Sequence, residues 1–142
     1  MRNRDPEGKV LRALREVAGS EPVRMRVAGD CMAPLAQHGA MVEVSAARVY
    51  WPGDVLAFQS RGGGLLLHRL IGYRPRGLSL NLVTQGDSCS ACDAPVGKEH
   101  VIGKVTGGEC APSLARVPLA HRLRAMARFS RLVLSRLKAR RA

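Results

Sequence analysis

Val23-Arg24-Met25-Arg26-Val27-Ala28-Gly29-Asp30-Cys31-Met32-Ala33-Pro34-Leu35 is the stretch that sets the architecture. Its first five residues alternate apolar and cationic side chains, the period of a strand with one face buried. Gly29 then permits a sharp turn where a side chain would clash. A single thiol, Cys31, follows the turn, and Pro34 stiffens the exit. A nucleophile held at a strand end projects from rigid backbone with amide N–H groups beside it, so attacking atom and oxyanion site can form together. The same residues also suit a small cysteine packed beside an ordinary turn.

Working outward, five more short β segments follow in the pattern: Met41–Ser45, Asp54–Phe58, Leu65–Tyr73, Leu78–Gln85 and His100–Thr106. Turn signals separate them, such as Trp51-Pro52-Gly53, Arg61-Gly62-Gly63-Gly64 and Arg74-Pro75-Arg76-Gly77. Strands at this spacing predict a mainly β domain, a barrel or folded sheet, and not alternating βα units. Before them, residues 7–18 read as a short helix with Val10, Leu11, Leu14 and Val17 on one face and Gly19 at its C-cap. After them, the chain from Pro118 has helical spacing, with Leu119, Leu123, Met126, Leu134 and Leu137 on one apolar side. The expected division is a lead-in helix over 1–22, a β domain over 23–110 and a basic helical tail over 111–142.

The chain has 142 residues and a formal charge of +12, enough length for one domain with a core of its own. Nine Lys or Arg and no Asp or Glu lie from Ala111 to the end, so the remainder carries only +3. The basicity belongs to the tail. Such a helix suits an anionic membrane surface, nucleic acid bound without sequence preference, or an acidic partner, or else docks on its own domain with a solvated basic rim. Two Phe, two Tyr and one Trp are too few for a stacking platform on single-stranded nucleic acid, and one short N-terminal helix cannot make a helix-turn-helix. Specific nucleic-acid recognition is not expected. No apolar run approaches the ~18 residues that cross a bilayer, and no export signal is visible, so the default compartment is the cytoplasm. There Cys31, Cys89, Cys92 and Cys110 are thiols or ligands more readily than disulfides.

His68 interrupts the apolar run Leu65-Leu66-Leu67-His68-Arg69-Leu70-Ile71-Gly72. An imidazole on a core strand needs a partner or a cleft, and its near-neutral pKa suits it to take a proton from a thiol. The loop Gly86-Asp87-Ser88-Cys89-Ser90-Ala91-Cys92-Asp93 carries two carboxylates and a Cys-x-x-Cys. An Asp against a His fixes its tautomer and stabilises the imidazolium, although Asp is also a common turn former. Cys89, Cys92 and Cys110, completed by Cys31 or His68, are the alternative of a zinc site, for which the Cys-x-x-Cys supplies half the usual spacing.

The order of these residues resembles the catalytic domain of type I signal peptidases and the related self-cleaving LexA-type repressors. The similarity rests on Gly29-x-Cys31-Met32-x-Pro34, Gly53-Asp54-Val55, His68-Arg69-Leu70-Ile71-Gly72, Gly86-Asp87, Asp93 and Ile102-Gly103-Lys104-Val105, and spans about residues 23–107. It implies a folded antiparallel sheet of the signal-peptidase and LexA kind. Cys31 stands where that family has its nucleophilic Ser, and His68 where its endoplasmic-reticulum and archaeal-type branch has the base. Asp87 and Asp93 match that branch's two loop aspartates. Gly29 replaces a hydroxyl residue that donates to the oxyanion in many signal peptidases, Ala40 replaces an acidic residue, and a transmembrane anchor like that of those enzymes is not expected.

The resemblance implies a peptidase with Cys31 as nucleophile, His68 as general base, Asp93 orienting His68, and Asp87 supporting the loop or sharing the His68 network. It implies an extended peptide substrate bound beside Gly29, Met32, Pro34 and Leu67, cut after small residues such as Ala, without a cofactor. The tail over 118–142 is the expected contact with a membrane or an acidic leader. The competing expectations are a non-catalytic peptide-binding or regulatory member of the same family and the zinc domain built on Cys89, Cys92 and Cys110.

Overall fold

A computed structural model describes residues 6–141. The lead-in 1–5 and residue 142 lie outside the described residues. Helix α1 (Pro6–Ser20) is the first described element. It runs through Gly19 to Ser20, one residue beyond the expected cap. Six strands follow: β1 (Val23–Arg26), β2 (Met41–Ser45), β3 (Val55–Gln59), β4 (Leu65–Arg76), β5 (Ser79–Gln85) and β6 (Val101–Gly108). Helix α2 (Pro112–Ala115) is a single turn, and α3 (Leu119–Arg141) closes the chain.

The strands make one curled antiparallel sheet in the order β1-β2-β6-β3-β4-β5. All six expected strands are present, β2 with its expected bounds and the others with ends shifted by at most three residues. The helices hold about as many residues as the strands, so the class is mixed α and β instead of mainly β. The extra helix is almost all α3, whose 23 residues belong to the basic tail.

β3 shows how the sheet is covered. Val55 and Ala57 face one core cluster with Val42, Val44, Ile102 and Val105, capped by Leu11 and Ala18 of α1 and Leu114 of α2. Leu56 and Phe58 point the other way, into a cluster with Tyr50, Leu70, Leu82 and Val101. A central strand buried on both faces reads as an unbroken apolar run, as this one does.

α3 docks on β4 and β5 by an unexpected face. Ala125, Phe129 and Leu132 pack on Ile71 and Val83, while Leu119, Leu123, Met126, Leu134 and Leu137 all face solvent, each more than half exposed. The apolar stripe exists, but it lies about a third of a turn from the docked side. Two features choose that side. Gly72 leaves room for the Phe129 ring, which would stand 2.4 Å from a Cβ there. Arg122 reaches the buried Asp54 at 3.1 Å and donates to the carbonyl of Pro52.

β1 is an edge strand, paired only with β2. The first four residues of β4, Leu65–His68, pair with β3 on one side, while β5 joins only from Arg69 onward. Two free strand edges therefore flank one groove, of about 440 Å³, lined by Met25–Gly29 and Leu65–His68 with Leu14 of α1 behind.

Candidate active site

Cys31 sits at the mouth of that groove, exposed, on the turn that follows β1. Gly29 makes the turn at φ +82°, and its amide donates to Nδ1 of His38 at 2.8 Å. The Met32 side chain is driven into the core, 1% exposed, which pins the residue next to the nucleophile. The Cys31 amide has no hydrogen-bond acceptor among the described residues, so it is available to a developing oxyanion, the donor the sequence calls for once Gly29 replaces a hydroxyl.

His68 is 5% exposed on β4, its ring edge-on to Phe58. Nδ1 lies 2.6 Å from Oδ2 of Asp93. That carboxylate oxygen also accepts from the buried Thr84 hydroxyl at 2.7 Å, and the Asp93 amide donates to the Thr84 carbonyl. With Nδ1 committed to Asp93, Nε2 is left for the groove. There the thiol of Cys31, a ring nitrogen of His68 and the thiol of Cys89 all lie within 4.8 Å of one another.

The electrostatics follow from this geometry. The Cys31 thiol is held below its ordinary value, first by hydrogen bonding to His68 and then to Cys89. Burial works against a charged imidazole at His68, yet hydrogen bonds with Asp93 and Cys31 outweigh it and the ring titrates above its ordinary value. Cys89 moves the opposite way to Cys31, pushed up by burial and by the neighbouring thiol. Of the two, Cys31 takes the thiolate.

Asp87 does not join His68. It is clamped by Arg69, Nε to Oδ1 at 2.8 Å and Nη2 to Oδ2 at 2.7 Å, while Nη1 of the buried Arg69 holds the carbonyl of Gly53. Its amide faces the sulfur of Met32 at 3.4 Å. Of the two roles open to Asp87, the geometry fits loop support. Ser88 finishes the tie, its amide to the Cys31 carbonyl and its hydroxyl to the Ala33 carbonyl. Gly86 allows this contact, because a Cβ there would stand 2.7 Å from Cys89 Sγ and 3.1 Å from Cys31 Cβ.

Of the other expected residues, Gly29, Met32 and Leu67 line the groove, but Pro34 does not and lines a separate pocket with His38 and Cys110. Cys92 packs beside Ile71 and Phe129, and Cys110 beside the α1 side of the core, so among the described residues these two are not gathered with Cys89 as ligands. Sequence reasoning missed Thr84 and His38, and placed Cys89 in a zinc set with Cys92 and Cys110. Thr84 alone had a legible signal, one residue before the Gln85-Gly86-Asp87 turn on a strand that must pass β4. No protein-family model and no curated protein matches this chain.

Proposed function

We propose that this protein is a peptidase with a Cys31–His68–Asp93 triad and a fold of the signal-peptidase and LexA kind. The observation that carries the reading is the line of groups from a buried strand to an open groove, with Asp93 on one imidazole nitrogen and the thiol on the side of the other. Six antiparallel strands, with Gly29, Cys31, Met32 and His68 of the motif lining one groove, support the family resemblance.

In the reaction the Cys31 thiolate adds to the scissile carbonyl carbon, and the oxyanion takes the Cys31 amide. The tetrahedral adduct collapses as imidazolium Nε2–H gives its proton to the leaving amine, leaving a thioester on Cys31. A water then loses a proton to His68 as its oxygen adds to the thioester carbon. Collapse releases the acid and returns the thiol. Asp93 keeps Nε2 aimed and stabilises the imidazolium in both halves.

The substrate is an extended peptide added between the free edges of β1 and Leu65–His68, where main-chain hydrogen bonds supply affinity. Cleavage after a small residue such as Ala is the family's preference. The exposed stripe of α3, amid eight cations, holds the domain on an anionic membrane surface.

Incubation with a library of extended peptides, read by mass spectrometry, tests this. Cleavage after small residues that falls at least about a thousandfold in Cys31→Ala is expected. Products that persist in Cys31→Ala, or none with any peptide, would refute it.

A further inference from the structure

We infer that Cys31, His68 and Cys89 form a binding site for a thiophilic divalent cation, Zn²⁺, which occupies the nucleophile and excludes the peptidase reaction. The inference uses the same side chains as the triad but does not require that the triad be catalytic.

Three observations carry it. The donor atoms of all three residues lie within 4.8 Å of one another. Tetrahedral zinc, with bonds of about 2.3 Å to sulfur and about 2.0 Å to nitrogen, holds its donors about 3.5–3.8 Å apart. A contraction of about 1 Å closes the gap, within reach of side-chain rotation on two cysteines in turns. Two thiolates and an imidazole are also the ligand types that soft and borderline cations select.

The second observation is the support behind the histidine. Metal-bound imidazoles place their other nitrogen on a carboxylate, fixing the tautomer and raising ligand basicity. Asp93 does this at 2.6 Å and is itself held by Thr84. The third is Cys89, whose sulfur makes and breaks no bond in the peptidase reaction. Its amide donates to Gly86 and its carbonyl accepts from the Gln85 side chain, so the loop aims its sulfur at Cys31.

On binding, Cys31 and any protonated ligand release their protons, and the sulfur lone pairs go to the metal. The fourth position faces the open groove and takes water. A bound cation and a free Cys31 nucleophile are mutually exclusive, so the metal is an inhibitor that fits the site.

The test is titration of chelator-stripped protein with Zn²⁺ by calorimetry and with Co²⁺ by absorption. One equivalent of each is expected to bind, with cobalt giving tetrahedral d–d bands and a thiolate-to-metal charge-transfer band. Cys31→Ser, Cys89→Ser and His68→Gln should each weaken binding at least about tenfold, and Asp93→Asn about 10–100-fold. Cys92→Ser and Cys110→Ser should change neither affinity nor spectrum. Cobalt bound without a thiolate band, or affinity indifferent to Cys89→Ser, would overturn the site. Because no peptide substrate enters, these outcomes are separate from failure of the peptidase reading.

Discussion

At the scale of single residues, the site depends on how Asp93 divides its oxygens. One oxygen accepts from both His68 and Thr84, so Asp93→Asn keeps the shape but removes the charge that favours imidazolium. In metal-free protein, alkylation of Cys31 near neutral pH should slow by about 10–100-fold in Asp93→Asn and less in Thr84→Val, measured as the rate of thiol modification. The same coupling has a sign in stability. A His whose folded value is raised stabilises fully below its unfolded value of ~6.5 and loses that contribution as pH rises through the raised value. The advantage of wild type over His68→Gln in thermal melts should therefore be largest under mildly acidic conditions and shrink as the solution becomes alkaline. Cys31, His68 and Asp93 were legible because each breaks a local pattern: a thiol after a turn, an imidazole in an apolar strand, a second carboxylate in one loop. The choice of Asp87 between the loop and the His68 network, and the place of Cys89 beside Cys31, stayed open, because both are decided by a loop bend that sequence spacing does not encode.

At the scale of elements, α3 is held by fit and by one ion pair. Asp54 is 2% exposed, and Arg122 is its cationic partner. Arg122→Ala leaves that carboxylate buried with only the Trp51 amide, and should cost roughly 2 kcal/mol in chemical denaturation. Gly72→Val pushes a side chain into the space of Phe129 and should cost about 1–3 kcal/mol. In both variants the loss of α3 packing should appear as faster amide exchange in residues 119–132. The strands were readable from alternation and turn residues, and the helix from its spacing. Its docked face was not, because the hydrophobic pattern points at solvent while a glycine on β4 and a buried aspartate just before β3 decide the contact. Those partners lie about 50 residues or more upstream, so no local window holds them.

At the scale of the whole molecule, charge and apolar surface coincide. Eight cations and the stripe Leu119, Leu123, Met126, Leu134 and Leu137 share one helix, and no described helix is long and apolar enough to cross a membrane. Binding to anionic lipid vesicles is expected, strongly weakened at about 0.5 M salt and by Leu134→Ser with Leu137→Ser. Equal binding to neutral vesicles would contradict this role for α3. The sheet presents Cys31 and His68 from two separate edges of one groove, which makes the pair a property of the fold and not of either strand. The most direct measurement is intact mass of metal-free protein treated with a thiol-directed peptide electrophile ending in Ala. Wild type, Cys31→Ala and His68→Ala would be compared over about pH 5 to 9. A single adduct that needs both Cys31 and His68, with an acid limb well below the free-thiol value of ~8.5, is the predicted result. Slow labelling spread over all four cysteines and indifferent to His68 would contradict it.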